Sequence, residues 1–318
     1  MMRLDRVNGL ASIQDLGRQG QGHLGVPSGG AMDRFSLILA NRLLGNEDNA
    51  PAIELASGSY EFTFETSSWI ALCGASFEAR IESEKEGKID KRPLWHGWRG
   101  RVNPGERLIL KGPRQGVWGY LAILGGVKVP EALEGRGTFL AGQFGGHRGR
   151  QLASGDSLNL NAPAEASFSR PVGAVHRAND GILRALPGPE MSQFSDQDRK
   201  AFWHGHWTVS PQNNRMGARL SGESLDSGKH LSLRSHAVLP GVVQVPPGGQ
   251  PIVLQADAQT SGGYPRMAMV IEADRWKLAQ ARAGQAIRFQ HVSPNQVEDA
   301  NLEWQHYFYR LARAMDGS

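Results

Sequence analysis

One stretch of the chain, residues 244–265, reads QVPPGGQPIVLQADAQTSGGYP. Its Pro-Pro-Gly-Gly turn leads into an apolar segment at 251–255, and a second apolar segment follows at 267–271, so we predict two strands. The polar segment between them contains Asp257, Gln259 and Thr260. Its glycines allow the backbone to approach a ligand closely. We therefore predict a binding or catalytic site between these two strands.

Composition favours a β-rich protein with more than one domain. The 318 residues are 40% hydrophobic, which is enough for a large core and for two domains. The 40 glycines and 17 prolines are spread along the chain as turns between short alternating segments, a pattern typical of β structure. The segment 162–166, rich in Ala and Pro, resembles a linker. We predict an N-terminal domain at 1–165 and a C-terminal domain at 166–318.

Charge, hydropathy and cysteine content narrow the function class. The formal net charge of +4 comes without any block of like charge, so we expect no nucleic-acid partner. No apolar run reaches the length of a membrane span and the N-terminus lacks a signal-peptide core, so we expect no membrane association and a cytoplasmic location. The single cysteine, Cys73, lies in an apolar run and is predicted to be a buried structural thiol.

Local patterns place the helices and several turns. Helices are predicted to begin near Asp33, Ser195, Asp274 and Val297, the first three with residues suited to helix N-termini, and the last is amphipathic and runs to the C-terminus. For Asp33 a capping role and a functional role are equally supported. Three segments share a Gly-polar turn followed by an alternating strand, which suggests a duplicated β unit. These segments are 104–110, 154–160 and 283–289.

Two basic residues are candidates for ligand recognition. Arg215 lies between turn residues and a strand, where its planar guanidinium offers a rigid fork for a carboxylate or phosphate; the structural alternative is pairing with backbone carbonyls. His147 lies in a glycine-rich loop between Arg148 and Arg150 and could bind an anion or donate a proton, although a surface histidine is equally consistent.

Cofactor motifs are missing from the sequence. The glycines around residues 222–230 have the wrong spacing for a phosphate loop, so no nucleotide motif is found. The biotin attachment sequence Ala-Met-Lys-Met does not occur. The histidines do not cluster at ligand spacing, and we expect no metal site.

Five irregular blocks, in order along nearly the whole chain, resemble the signature blocks of one family, the biotin-dependent carboxyltransferase or allophanate hydrolase subunit 2 family. The blocks are QDLGR (14–18), GVPSGGAMD (25–33), FGGHRGR (144–150), NRMG (214–217) and QTSGGYP (259–265). Two departures are mild: Ser261 replaces a common Thr, and Gln143 a common Gly. A set of long motifs is far more specific than any single short one.

The resemblance implies a mainly β fold made of two tandem cyclophilin-like β-barrel domains with a few short helices. It also implies a set of site residues, which we expect to line one cleft at the junction of the barrels. The catalytic candidates are Asp257, Arg215 and Gln259, and the substrate-binding candidates are Asp15, Arg18, Met32, Asp33, His147, Thr260 and Tyr264.

The family includes the C subunit of bacterial 5-oxoprolinase, so the resemblance implies a role in the ATP-dependent cleavage of 5-oxo-L-proline to L-glutamate. The implied partners are the other two components of that enzyme, a KipI-like B subunit and a LamB/YcsF-like A subunit, and the chain alone is expected to be inactive. The ATP would be used by the complex. Two alternatives remain: a non-catalytic antagonist of a KipI-like kinase inhibitor, and the carboxyltransferase component of a urea carboxylase-like system.

Overall fold

A computed structural model of the chain describes residues 1–161, 168, 171–175, 177–226 and 233–315. The chain divides into two compact units. Unit 1 contains Met1–Arg18, Gly29–Arg177 and Phe308–Ser318, and unit 2 contains Gln19–Ser28 and Ala178–Tyr307. The predicted boundary between Glu165 and Ala166 falls outside the described residues and stays a prediction.

Unit 1 is built on long antiparallel strands. Its described elements are strands β1 Met2–Gln14, β2 Ala52–Phe64, β3 Ser68–Lys85, β4 Lys88–Pro93, β5 Trp98–Val102, β6 Arg107–Ile123 and β7 Ser157–Leu158, and helix α1 Arg34–Leu43. The sheet runs in the order β4-β3-β6-β2-β1-β7, and β5 pairs with β3 beside β4. The strands alternate buried apolar and exposed residues, and Tyr60, Phe62 and Phe77 pack as an aromatic group in the core.

Two local predictions for unit 1, the place of Asp33 at a helix N-terminus and the burial of Cys73, are confirmed. The charged segment between β3 and β4 forms a hairpin tip, where Glu86 and Gly87 both have positive φ, as a two-residue turn of the primed type requires. Asp33 is the N-cap of α1, and its side chain accepts a hydrogen bond from the backbone N–H of Ser36. Cys73 is fully buried, as predicted.

Unit 2 contains a closed barrel of short strands in the order β10-β13-β12-β15-β8-β16-β9. The strands are β8 Ile182–Pro187, β9 Trp207–Val209, β10 Gly217–Ser221, β11 His236–Ala237, β12 Val242–Gln244, β13 Ile252–Leu254, β14 Ser261–Gly262, β15 Arg266–Val270 and β16 Ala286–His291, with β11 and β14 paired separately. The two strands predicted around the polar segment are β13 and β15, and β12 lies between them.

The mainly β class is therefore confirmed, and so is the barrel of unit 2. Closure of the unit 1 sheet and the cyclophilin-like topology stay predictions.

The three predicted turn-strand segments are also confirmed. In each, a glycine with φ between +81° and +90° ends a turn before β6, β7 or β16: Gly105, Gly155 and Gly284. No atom lies within 4 Å of an added Cβ at any of the three, so backbone conformation, not space, is the reason for glycine.

The remaining helices follow the predicted segments with one correction. Helix α2, Asp196–His204, has Ser195 as its N-cap, as predicted. Helix α3, Glu272–Ala279, has Ile271 at its N-cap position, so the prediction that Asp274 caps it is wrong; the Asp274 carboxylate instead accepts from the Arg184 side chain and backbone.

Helix α4, Pro294–Met315, confirms the amphipathic C-terminal helix, and its 22 residues exceed the short helices expected. Its Phe308 packs 5.1 Å from the Phe35 ring of α1 within unit 1. Among the described residues, none of the helices combines the length and hydropathy that a membrane span requires.

The barrel core of unit 2 gives a direct stability prediction. Phe202 is fully buried and stacks on Phe289 at 4.4 Å. Phe202→Ala should lower the free energy of unfolding of unit 2 by about 3–5 kcal/mol, because it removes buried surface and leaves a cavity. Urea denaturation measures the change. Lys200→Ala, at an exposed position of the same helix, should stay within about 0.5 kcal/mol of the wild type; equal effects of the two changes would contradict this packing.

Candidate functional site

Arg215 and Asp257 form a fixed ion pair in unit 2. Arg215 donates from Nε to Asp257 Oδ2 at 2.7 Å and from Nη2 to Oδ1 at 2.9 Å. Both side chains are nearly buried, with 12% and 10% of their surface exposed. The backbone N–H of Asp257 also donates to the carbonyl of Arg215 at 2.8 Å. This two-point geometry sets the plane of the guanidinium, so Asp257 is better placed to orient Arg215 than to act as a free base.

The loop that carries Arg215 is held by side-chain amides. Gln255 donates to Asn213 Oδ1 at 2.6 Å and to the Asn214 carbonyl at 3.0 Å. Asn214 Oδ1 accepts from the backbone N–H groups of Met216 and Gly217. The stretch that follows β13 is thus tied to the loop before β10 at several points, and this rigidity is what a binding arginine requires.

The other predicted residues of unit 2 follow Asp257 along the chain. Gln259 is exposed, Thr260 is half-buried and Tyr264 exposes 45% of its surface. The Thr260 carbonyl accepts from the Val238 N–H, and its methyl lies 3.9 Å from where a Cβ on Gly22 would be. Gln259 and Tyr264 therefore have exposed side chains, and they follow Asp257 within seven positions of the sequence. Their contact with substrate stays a prediction.

Asp15 and Arg18 are buried in unit 1 and bind backbone groups. Asp15 accepts from the N–H of Gly17 at 2.9 Å and of Arg136 at 2.6 Å. Arg18 donates to the carbonyls of Ala132 at 3.0 Å and Gly137 at 2.6 Å. Together the two side chains fasten the end of β1 to residues 132–137.

The glycine-rich block at 144–150 packs against this junction. Arg18 lies over the Phe144 ring at 4.8 Å. Gly145 has a φ of +73°, and a Cβ there would come within 2.2 Å of the Gly137 carbonyl and 2.5 Å of Arg18 Nη2. Both conformation and space therefore require glycine at this position. The substrate contacts predicted for Asp15 and Arg18 stay predictions, since the contacts observed are with the protein itself.

Met32 and Asp33 are held by a buried network in unit 1. Glu54 Oε2 accepts from the Met32 N–H at 2.9 Å and from the Tyr120 hydroxyl at 2.8 Å. The same hydroxyl accepts from the Asp33 N–H at 2.7 Å. Glu54, Tyr120 and Asp33 are all at most 1% exposed. Burial and the nearby charges of Glu54 and Asp33 raise the pKa of Tyr120, which keeps the hydroxyl protonated as a donor.

Sequence reasoning missed Glu54 and Tyr120. The two residues face each other on β2 and β6, 66 positions apart. A signal was present, because Glu54 is a charged residue inside the apolar run Ala-Ile-Glu-Leu-Ala. A charge in a buried strand requires a partner, which makes it a candidate for a positioning role.

His147 pairs with Asp156 near the glycine-rich block. His147 Nε2 lies 3.5 Å from Asp156 Oδ1, and Arg150 donates to both oxygens of the same carboxylate at 2.6 and 2.8 Å. Burial, together with the charges of Arg150 and Arg148, lowers the pKa of His147 despite the opposing effect of Asp156. The ring is therefore neutral at pH 7 and can accept a proton there. The hydrogen bond from Arg150 is the main cause that lowers the pKa of Asp156 to about 2.

The predicted site residues thus form two sets. Asp15, Arg18, Met32 and Asp33 meet in unit 1, where the Ala31 N–H donates to the Asp15 carbonyl at 2.8 Å and joins the two segments. Arg215 and Asp257 meet in unit 2. That the two sets line one cleft stays a prediction. In the described part of the chain no group of three or more His, Cys, Asp or Glu is placed to hold a metal ion.

The buried Glu54–Tyr120–Asp33 network of unit 1 can be tested by removing one oxygen atom. Tyr120→Phe removes the hydroxyl that connects Glu54 to Asp33 and leaves the Asp33 N–H buried without that acceptor. The free energy of unfolding should fall by about 1–3 kcal/mol. Tyr309→Phe is the matched control, because Tyr309 is 61% exposed, and it should be neutral in the same denaturation experiment. A neutral Tyr120→Phe would contradict the network.

The His147–Asp156–Arg150 group predicts an acid-dependent loss of stability. The pKa of Asp156 is about 2 in the folded protein and 3.8 ordinarily, so its contribution is complete above pH 4 and disappears as the pH falls from about 4 to about 2. At neutral pH Asp156→Asn should unfold at lower denaturant than the wild type. The difference should shrink through this window and vanish near pH 2. A difference that does not depend on pH would contradict the assignment.

A family model and two similar proteins of named function each match most of the chain. Residues 24–291 match the family model described as carboxyltransferase domain, subdomain A and B. The chain is 42% identical over 312 residues to the C subunit of 5-oxoprolinase from Escherichia coli (strain K12), covering 98% of both proteins. It is 37% identical over 310 residues to the C subunit of 5-oxoprolinase from Haemophilus influenzae, covering 98% of this chain and 97% of that protein.

The chain is also similar in structure to one part of a much larger protein. The fold superposes on the K. lactis urea amidolyase with a TM-score of 0.83 and 26% sequence identity, over 96% of this chain and 20% of that one. The match with the family model covers most of the chain and includes both the glycine-rich block of unit 1 and the Arg215–Asp257 pair of unit 2. The chain therefore belongs to the carboxyltransferase domain family, subdomains A and B.

Proposed function

We propose that this chain is the C subunit of an ATP-dependent 5-oxoprolinase and that it takes part in the cleavage of 5-oxo-L-proline to L-glutamate. The observation that carries the proposal is the 42% identity to the C subunit of a 5-oxoprolinase, which extends over 98% of both proteins. A relation of that extent includes both units of the chain and every predicted site residue.

The chemistry of the substrate fits the Arg215–Asp257 pair. A cyclic amide resists hydrolysis because resonance stabilises it. Phosphorylation of its oxygen by ATP, which releases ADP, would open the carbonyl carbon to attack by water. The ring C–N bond would then break as the nitrogen takes up a proton, and water would hydrolyse the resulting acyl phosphate to glutamate and phosphate. Cleavage then needs a donor directed at the oxygen on which negative charge develops. Arg215 is a fixed cation for this purpose, oriented by its two hydrogen bonds to Asp257 and by the amide-bound loop. Gln259 and Tyr264 are the further proposed donors, and both side chains are exposed.

The segments of unit 1 have a supporting role in this proposal. Asp15, Arg18 and the Glu54–Tyr120 network fix the backbone of the block at 14–18 and of residues 31–33. His147 is a proposed substrate-binding residue, and its lowered pKa favours the neutral ring. The A and B subunits would supply the remaining parts of the active site, so the chain alone is expected to be inactive.

A second candidate is a carboxyltransferase. The family description and the superposition on urea amidolyase favour it. Such a reaction also develops negative charge on an oxygen, so Arg215 would have the same task, with a carboxyl donor in place of phosphorylation by ATP.

Reconstitution distinguishes the two functions. The purified A and B subunits are mixed with this chain, 5-oxoproline and ATP, and glutamate release is followed. We expect release that depends on all three proteins. No release from a complex that assembles, together with carboxyl transfer to urea from a carboxybiotin donor, would reject the 5-oxoprolinase and support the second candidate.

The same assay tests the ion pair. Asp257→Asn and Arg215→Lys should each lower turnover by about a hundredfold or more, because either change loses the fixed orientation of the guanidinium. Circular dichroism should show that both variants remain folded. Arg219→Lys, at an exposed position on β10, is the matched control and should keep wild-type turnover. Near-normal turnover of Asp257→Asn would contradict the assignment.

A further inference from the structure

A cavity of about 800 Å³ lies in unit 1 beside the connection between β4 and β5. This volume is in the range that small-molecule sites occupy. It is separate from the residues discussed above, since its lining comes from β3, β4, β5, the connection between β4 and β5, Asn103 and Pro171. Its position at the side of the long sheet does not follow from the proposed function.

The described lining has an unusual composition. It includes three tryptophans and three arginines and no aspartate or glutamate: Trp69, Trp95, Trp98, Arg92, Arg99 and Arg101. Trp95 and Trp98 are 64% and 40% exposed, so flat apolar faces are open to solvent. Aromatic faces next to cations without acids are suited to a ligand that has a flat ring and a negative charge.

Several contacts hold these side chains in place. The Trp98 ring lies against Gly173, where an added Cβ would come within 2.4–2.5 Å of ring atoms. Trp69 packs edge-on against Phe168 with ring centres 5.4 Å apart. His96 Nε2 donates to the Gly74 carbonyl at 2.6 Å and fixes the β4–β5 connection. Trp98, Trp69 and His96 are therefore already placed before a ligand binds, which lowers the free-energy cost of ordering this part of the site.

The arginines differ in their availability. Arg99 is 1% exposed, donates to the Leu43 carbonyl and lies 3.8 Å from the centre of the Phe168 ring. Arg92 pairs with Glu106. Arg101 is exposed, and among the described residues it has no ion-pair partner. It is the cation best placed to pair with an incoming anion.

From this geometry we propose that the cavity is a binding site for an anion that carries a flat aromatic ring, with the ring stacked on Trp95 and Trp98 and the anionic group paired with Arg101. Nucleotides have this chemistry, although the sequence has no phosphate loop. The tryptophan and arginine side chains would bind the nucleotide, in place of the backbone N–H groups of a glycine-rich loop.

The test is calorimetric titration of the full-length chain with ATP, adenosine and inorganic tripolyphosphate. ATP has both the ring and the charge, and should bind at least about tenfold more tightly than either fragment. Trp95→Ala and Arg101→Ala should each weaken ATP binding by about tenfold. Trp95→Phe keeps a ring and should bind ATP nearly as well as the wild type. Arg114→Ala, a change at a 76% exposed side chain of unit 1 outside the cavity, should have no effect.

Three results would overturn the proposal. One is no ATP binding at millimolar concentration; another is wild-type binding by Trp95→Ala and Arg101→Ala. The third is that these variants keep ATP binding and lose binding to a partner protein of the complex, because tryptophan and arginine also dominate protein interfaces and the cavity would then be a docking surface. Because binding and not glutamate release is measured, failure here is independent of failure of the proposed function.

Discussion

The burial of three carboxylates fixes the chain segments of unit 1 that carry the family blocks. Asp15, Asp33 and Glu54 are at most 1% exposed. A buried charge is tolerated only where hydrogen bonds replace water, and here backbone N–H groups do so, from Arg136 to Asp15, from Ser36 to Asp33 and from Met32 to Glu54. Each carboxylate therefore sets the position of a loop, and the loops are those with the irregular glycine-rich sequences.

In unit 2, arginine–carboxylate ion pairs fix the positions of chain segments. Many of its strands have two to five residues and contribute few ladder hydrogen bonds. Three two-point arginine–carboxylate pairs connect distant segments instead: Arg184–Asp274, Arg215–Asp257 and Arg266–Glu190. Arg184–Asp274 joins β8 to α3, and Arg266–Glu190 joins β15 to the segment after β8. Arg215–Asp257 lies in loops at a strand end, where function is usually located, and this difference supports a role for it beyond stability.

How far the sequence predicts the structure depends on the range of the interaction. The Asp33 and Ser195 caps were predicted correctly because each depends on a side chain and an N–H three residues away. Asp274 was assigned wrongly as a cap because its true partner, Arg184, is 90 residues away. Glu54 and Tyr120 were missed for the same reason, since only the register of β2 on β6 brings them together. Arg215 and Asp257 were candidates from the local sequence pattern as well as from the resemblance, and the structure adds that they are a pair.

We propose that Arg215, held in plane by Asp257, is the cation on which the cleavage of 5-oxoproline depends. Chemical rescue tests this most directly. In the reconstituted complex, Arg215→Ala should lose glutamate release, and added guanidinium should restore part of it, whereas added ammonium should not, because only guanidinium reproduces the planar fork. Wild-type turnover by Arg215→Ala without any added cation would contradict the claim.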